Sequence, residues 1–275
     1  MISLFAAVRL RGLVPGMACL LFMCPATQAR AEGEGRIDTD GPDFVESTES
    51  VARGRLQFEA GPQWEQERRD GARLRTVSTP LLLKAGLGDG WEARLETDGR
   101  VERAGTDEAG APRRLRGTAD TALGLKWHVL DRDPARGVPA LAWIAHVEGP
   151  SGSANLRGQG LRPSLRAVIG WDLPHEFSIG LMPGVRIDAR ADGHRYVSGI
   201  FGVVAGKWWT GRLRTFVEMA SPRAARAENG GVVLTKNVGV AYLLGDDWQI
   251  GARAGWAANR NTPARYVLVS LAGRF

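Results

Sequence analysis

Apolar and polar residues alternate strictly over long stretches of this chain. From position 91 onward, Trp91, Ala93, Leu95, Thr97, Gly99 and Val101 form one set, and Glu92, Arg94, Glu96, Asp98, Arg100 and Glu102 the other. A period of two places the sets on opposite faces of a β-strand, whereas a helix would scatter six charges around its circumference. The design recurs with Leu123, Leu125, Trp127 and Val129 against Arg116, Asp120, Lys126 and His128. It recurs again with Leu165, Ile169 and Trp171 against Arg166 and Asp172, and with Ile179, Leu181, Val185 and Ile187 against Arg186 and Asp188. About twelve such stretches follow one another, near 54–66, 72–85, 91–103, 115–130, 139–149, 161–173, 177–189, 195–209, 212–220, 231–244, 248–257 and 265–275. Those at 72–85 and 195–209 alternate weakly, so ten or fourteen strands also fit.

The connections come in two kinds. Gly86–Gly90, Pro174–Glu176, Thr210–Arg212 and Gly245–Asp247 are tight, with Asp131–Val138 the longest of this set. The other set, near 104–114, 150–160, 189–194, 221–230 and 258–264, is longer and polar. Short turns facing longer loops are the asymmetry of a transmembrane, antiparallel up-and-down β-barrel, with the short side and both termini in the periplasm. The chain ends on such a strand: Val267, Val269, Leu271, Gly273 and Phe275 alternate with a more polar register, and the last residue is aromatic. A terminal strand ending on Phe is expected to serve as the signal read by the barrel assembly machinery. Seven of the nine tryptophans fall within a few residues of a tight turn. Trp91, Trp127, Trp171, Trp208, Trp209 and Trp248 are therefore expected to form an aromatic girdle at the headgroup level, with Trp143 nearby.

Composition changes the picture only in places. Charged residues make up 24% of the chain and mean hydropathy is −0.18, values that suit a soluble protein and equally a barrel in which every second residue faces lipid. Residues 1–31 have the form of a secretory signal: Arg9 and Arg11, an apolar run from Leu13 to Cys24, and Ala29-Arg30-Ala31, with cleavage expected after Ala29 or Ala31. Both cysteines, Cys19 and Cys24, lie inside it, which removes disulfides, thiol catalysis and cysteine metal sites from the exported chain. Three of the 36 basic residues also fall there, leaving a formal charge of +3, too balanced to argue for a nucleic-acid partner.

By this point the residues resemble a known family. The opening Thr39-Asp-Gly-Pro-Asp-Phe-Val-Glu-Ser-Thr-Glu-Ser50 and Val51–Glu59 are similar to the start of a family of bacterial outer-membrane proteins named for the meta-pathway of phenol degradation. The similarity continues at Ser78–Leu95, at Val147-Glu-Gly-Pro-Ser-Gly-Ser153 and at Tyr242–Ile250. Members are usually called transporters. The resemblance implies a barrel and passage of small molecules, hydrophobic or aromatic ones among them.

Three functions compete. In a channel of twelve strands the lumen is narrow, and inward side chains decide what passes. Those are expected to be Glu92, Arg94, Glu96, Asp98, Arg100, Arg116, Asp120, Lys126, Arg166, Arg186, Glu218, Arg253 and Arg274, although mixed signs suit wall-bracing ion pairs equally well. The acidic segment at 32–53, through Asp40, Asp43, Phe44, Glu46 and Glu49, is expected either to fold into the periplasmic mouth as a plug or to trail as a tail. A structural barrel with a filled lumen is the second reading. An outer-membrane enzyme is the third and weakest: His128, His146, His175 and His194 fall in no arrangement with a nucleophile and an orienting acid. No metal cluster, phosphate loop or dinucleotide fingerprint is present, so no cofactor is expected; Gly86-Leu-Gly-Asp-Gly90 is a hairpin turn with no helix after it. The partners expected are outer-membrane lipid, the assembly machinery and a small solute.

Overall fold

The computed structural model describes residues 35–69, 72–106, 111–259, 262 and 265–275, so the expected signal at 1–31 lies outside the described residues. Sixteen strand segments form one antiparallel sheet. They are β1 (Leu56–Ala60), β2 (Gln63–Arg69), β3 (Ala72–Ser78), β4 (Leu81–Gly88), β5 (Trp91–Thr97), β6 (Arg100–Thr106), β7 (Pro112–Thr118) and β8 (Thr121–Leu130). They continue as β9 (Ala140–Gly149), β10 (Arg162–Leu173), β11 (Phe177–Ala189), β12 (Arg195–Trp208), β13 (Leu213–Ala224), β14 (Val232–Leu243), β15 (Trp248–Ala257) and β16 (Arg265–Arg274). The first eight are halves of four interrupted staves, β1/β2, β3/β4, β5/β6 and β7/β8, so the sheet has twelve staves. It closes where β16 pairs with both β1 and β2. At that seam Phe275 and Leu56 exchange backbone hydrogen bonds of 2.8 and 3.1 Å. The ring of Phe275 stacks on Phe58 and meets Trp248 edge-on, with centroids 6.1 and 5.8 Å apart.

Alternation follows from the pleat. Outward residues such as Leu123, Val185, Val197 and Val217 are exposed to the bilayer side, and inward ones such as Lys126, Ile144 and Glu92 are fully buried. No helix among the described residues is long and apolar enough to cross a membrane.

Two staves change phase at their interruption. In β5, Glu92 and Arg94 point inward and are buried; beyond Asp98-Gly99, in β6, the buried inward residue is Val101. Gly99 has φ +63°, and a Cβ there would lie 2.3 Å from the Thr79 carbonyl oxygen, so only glycine allows the kink. Arg100 and Glu102 are thereby turned to the exterior, and so is Arg116, which is paired with Glu102 in register. This corrects the expectation that Arg100 and Arg116 line the lumen. A single unbroken alternation across 91–102 cannot register one inserted residue.

The girdle needs a correction as well. Trp91 and Trp127 stack face to face at 5.2 Å on the exterior, and Trp209 and Trp248 are also exposed. Trp208 instead points inward and packs against Ile37 and Leu243, with Arg36 over its ring. Two consecutive strand residues cannot share a face.

Candidate functional site

The lumen is occupied by the segment before the first strand. Residues 35–54 run through the barrel interior without regular structure, and opposite walls hold them by different chemistry. One wall is ionic. Asp40 is buried, with Lys84 Nζ at 3.0 Å, Arg94 Nη1 at 3.0 Å and Lys126 Nζ at 2.9 Å. These cations stand on adjacent strands β4, β5 and β8, because Lys84 pairs with Arg94, and Glu92 with Lys126. Glu59 receives the backbone N–H groups of Asp40 and Gly41 at 3.0 and 2.8 Å, and Lys84 at 2.6 Å. Glu46 bridges Arg94, at 2.5 Å, and Arg166. Glu92 accepts the Val51 N–H at 2.9 Å and braces Arg94.

The electrostatics fit this arrangement. Burial alone would raise the Asp40 carboxyl, but Lys126, Lys84 and Arg94 outweigh it and hold it well below the usual carboxylate range. Burial acts on Glu46 in the same way and is overcome by Arg94 and Arg166. Asp38 has no such cluster, and burial pushes its carboxyl up.

The facing wall is apolar. Val45 sits in a buried cluster with Ala142, Ile144, Val168, Met182, Val204 and Phe216, and Phe44 packs against it. Glu218 accepts the N–H groups of Phe44 and Val45 at 2.8 and 2.9 Å, while Asn237 donates to its other oxygen at 2.7 Å. Arg253 lies 3.5 Å from Glu218. Asp43 is held by Arg214 at 3.0 Å, and Glu49 by Arg132 at 2.6 Å. Close approach is permitted by bare backbone on the wall: a Cβ on Gly86 would lie 2.0 Å from the Ala52 carbonyl oxygen. At the end that carries the tight turns, Arg274 reaches Gly35 O at 2.5 Å and Asp247 at 2.8 Å.

A second charged network lies toward the end that carries the longer connections. Asp120 accepts the N–H groups of Gly152 and Gly158 at 2.8 and 2.7 Å and the Arg162 guanidinium at 2.6 Å. Arg162 also meets Glu148 at 2.8 Å, and Arg186 meets Asp188 at 2.8 Å. The 150–160 connection is thus folded back onto the wall. A cavity of about 140 Å³ remains there, bordered by Glu96, Asp98, His146 and Arg166.

Of the residues singled out from the sequence, Glu92, Arg94, Lys126, Arg166 and Glu218 converge on the segment, Arg253 stands behind Glu218, and Arg274 meets the segment at its start. Glu96, Asp98, Asp120 and Arg186 border the cavity of about 140 Å³. Asp40, Asp43, Phe44, Glu46 and Glu49 all touch the wall. Sequence reasoning missed Lys84, Glu59, Arg132, Arg214, Gln249 and Asn237. Lys84 carried a signal, being the one charge in the run Leu81-Leu-Leu-Lys-Ala85. Of the histidines, His128 donates through Nδ1 to the Thr48 carbonyl oxygen at 2.8 Å, and His146 lies 3.2 Å from both Arg166 and Glu96. No group of three or more metal-ligating side chains occurs among the described residues.

Solved structures share this architecture at low sequence identity. The COG4313 outer membrane channel from Pseudomonas putida F1 superposes with a TM-score of 0.66 at 12% identity, over 86% of this chain and 99% of that one. The β domain of the Bordetella autotransporter BrkA follows at 0.53 and 11% identity, over 80% and 99%. The KdgM porin, solved with disordered oligogalacturonate, reaches 0.50 at 9% identity, also over 80% and 99%. No curated protein sequence matches the chain. The sequence profile described as "Putative MetA-pathway of phenol degradation" matches residues 39–275, and the chain belongs to that family.

Proposed function

We propose that the protein is an outer-membrane channel for small molecules, hydrophobic or aromatic ones included, whose lumen is closed at rest by residues 35–54. The reading is carried by one observation: a single buried carboxylate, Asp40, is shared by three cations from three adjacent strands. A loose tail would not bury four charges, because desolvating each without a partner costs several kcal/mol. Release of the segment would uncover Ile144, Met182, Val204 and Phe216 on the facing wall, which favours small apolar cargo over ions. The wall ion pairs that do not touch the segment, such as Arg186 with Asp188, brace the barrel.

The test is single-channel recording of the chain from residue 32 in a planar bilayer, beside a variant lacking residues 35–50. Rare, brief openings in the full chain and steady large steps in the deletion are expected. Equal, steady conductance in both would sink the plug. Silence in both, from protein shown to be folded, would favour a filled barrel without transport.

A further inference from the structure

The register of the outer-end strands places four cations in one row on the exterior of the barrel. Directly paired residues point to the same side of a sheet. Lys236 pairs with Trp256, Trp256 with Arg265, and Arg265 with Gln66. Gln66 pairs in turn with Arg75, Arg75 with Ala104, and Ala104 with Arg114. The row faces outward: Trp256 is 48% exposed, and Trp64, two residues before Gln66, is 45% exposed. A basic residue therefore stands on every second strand, with an uncharged one between. Adjacent strands are about 4.8 Å apart, so successive cations are spaced by roughly 10 Å.

The next row toward the periplasm is of a different kind. Val238, Ala254, Val267, Trp64 and Val77 are paired in register beneath Lys236, Trp256, Arg265, Gln66 and Arg75. The exterior thus passes from hydrocarbon-facing to cationic within a single pleat, over five strands. On the next strand beyond Val77, Glu102 pairs with Arg116 and is shared by Arg114 and Arg116. It is the one acid in either row, and it lies at the far end. Arg265 is oriented by Gln66 through two hydrogen bonds of 2.9 and 2.7 Å to one oxygen. Arg75 is exposed and has no side-chain partner among the described residues.

We infer that this strip, on β14–β16 and β2–β3, is a docking site for a bisphosphorylated, multiply acylated glycolipid of the outer leaflet. The spacing carries the choice. Two phosphates at opposite ends of a disaccharide headgroup engage cations on alternate strands, such as Arg265 and Arg75, while a glycerophospholipid offers one phosphate to one of them. The apolar row beneath, about 20 Å wide across its strands, receives several acyl chains side by side. Trp256, between Lys236 and Arg265, presents a flat amphipathic face where sugar meets hydrocarbon. The inference needs only that the barrel spans an outer membrane and is independent of the plug.

Purified protein in detergent is titrated with lipid A, its monophosphoryl and fully dephosphorylated forms, and phosphatidylglycerol, and bound lipid is counted by native mass spectrometry. Lipid A should bind at least tenfold more tightly than either the dephosphorylated form or phosphatidylglycerol, with the monophosphoryl form between. A triple variant, Lys236→Gln, Arg265→Gln and Arg75→Gln, should lose that preference, and Arg265→Lys with Arg75→Lys should keep most of it. Equal binding of lipid A and phosphatidylglycerol, or an undiminished preference in a folded triple variant, would overturn the inference. If the triple variant does not fold, the lipid series on the unaltered protein decides alone.

Discussion

Asp40→Asn is the sharpest perturbation of the plug. The substitution keeps the volume and removes one buried charge that Lys84, Arg94 and Lys126 share at 2.9–3.0 Å. Lys84 retains Glu59, and Arg94 retains Glu46 and Glu92. Lys126 loses its carboxylate and keeps the Glu49 carbonyl at 3.2 Å. One fully buried cation is thus left uncompensated while the docked segment stays in place. Breaking a buried pair from one side costs about 3–5 kcal/mol. With roughly 1.4 kcal/mol per tenfold, the lower end already shifts the balance between docked and released segment by more than about a hundredfold. Single-channel open probability should rise accordingly. Limited proteolysis should cut in the 35–50 region, which contains Arg36 beside Gly211 and Trp208. A folded variant with unchanged openings and unchanged resistance would refute the view that Asp40 anchors the segment.

Three further outcomes follow from the same structure. Lowered carboxyl affinities at Asp40 and Glu46 mean that anchorage is complete above the ordinary carboxylate range near pH 4 and is lost only as pH falls through the lowered folded values, so open probability should be flat from about pH 7 to 5 and climb in strong acid; a rise already between pH 7 and 5 would contradict this. Asp120→Asn should loosen the 150–160 connection around Gly158, since Asp120 accepts the Gly152 and Gly158 N–H groups, and should speed proteolysis near Arg157 without altering heat resistance of the barrel, while Ser151 and Ser153 keep the start of the connection on the wall. Phe275→Ala removes the stack on Phe58 and the edge contact with Trp248 at the closing seam and should lower refolding stability by about 1 kcal/mol, read by heat-shifted gel mobility; an unaltered denaturation midpoint would count against the seam.

The barrel was legible in the sequence because lipid on one side and charge on the other impose period two on most strands. The weakness of the alternation at 195–209 has a physical cause. Ile200 and Val204 point inward and are buried yet apolar, and Val204 packs against Val45 rather than water. The same effect hid Ile144, Met182 and Phe216 as lumen residues. Interrupted staves defeated the pattern differently: Gly99 inserts a kink that inverts the phase, and a two-residue period carries no mark of such an insertion. The acidic character of 38–49 announced a basic receptor, but its members came from strands 84–214, and pairing across such separations is set by register, not by local sequence. Trp208 next to Trp209 did hold a warning, since neighbours on a strand face opposite ways.

The central claim, a lumen closed by docked residues 35–54, is tested most directly by tying that segment to the wall. The described chain contains no cysteine, so Val45→Cys with Gly202→Cys introduces one pair only. A Cβ at position 202 would lie 2.7 Å from Val45 Cγ2, which brings the two thiols within bonding reach. Conductance of this double variant is recorded oxidised and then after reduction on the same bilayer. The account predicts silence under oxidation and openings on reduction; equal conductance in both states, with the disulfide shown to form, would contradict it.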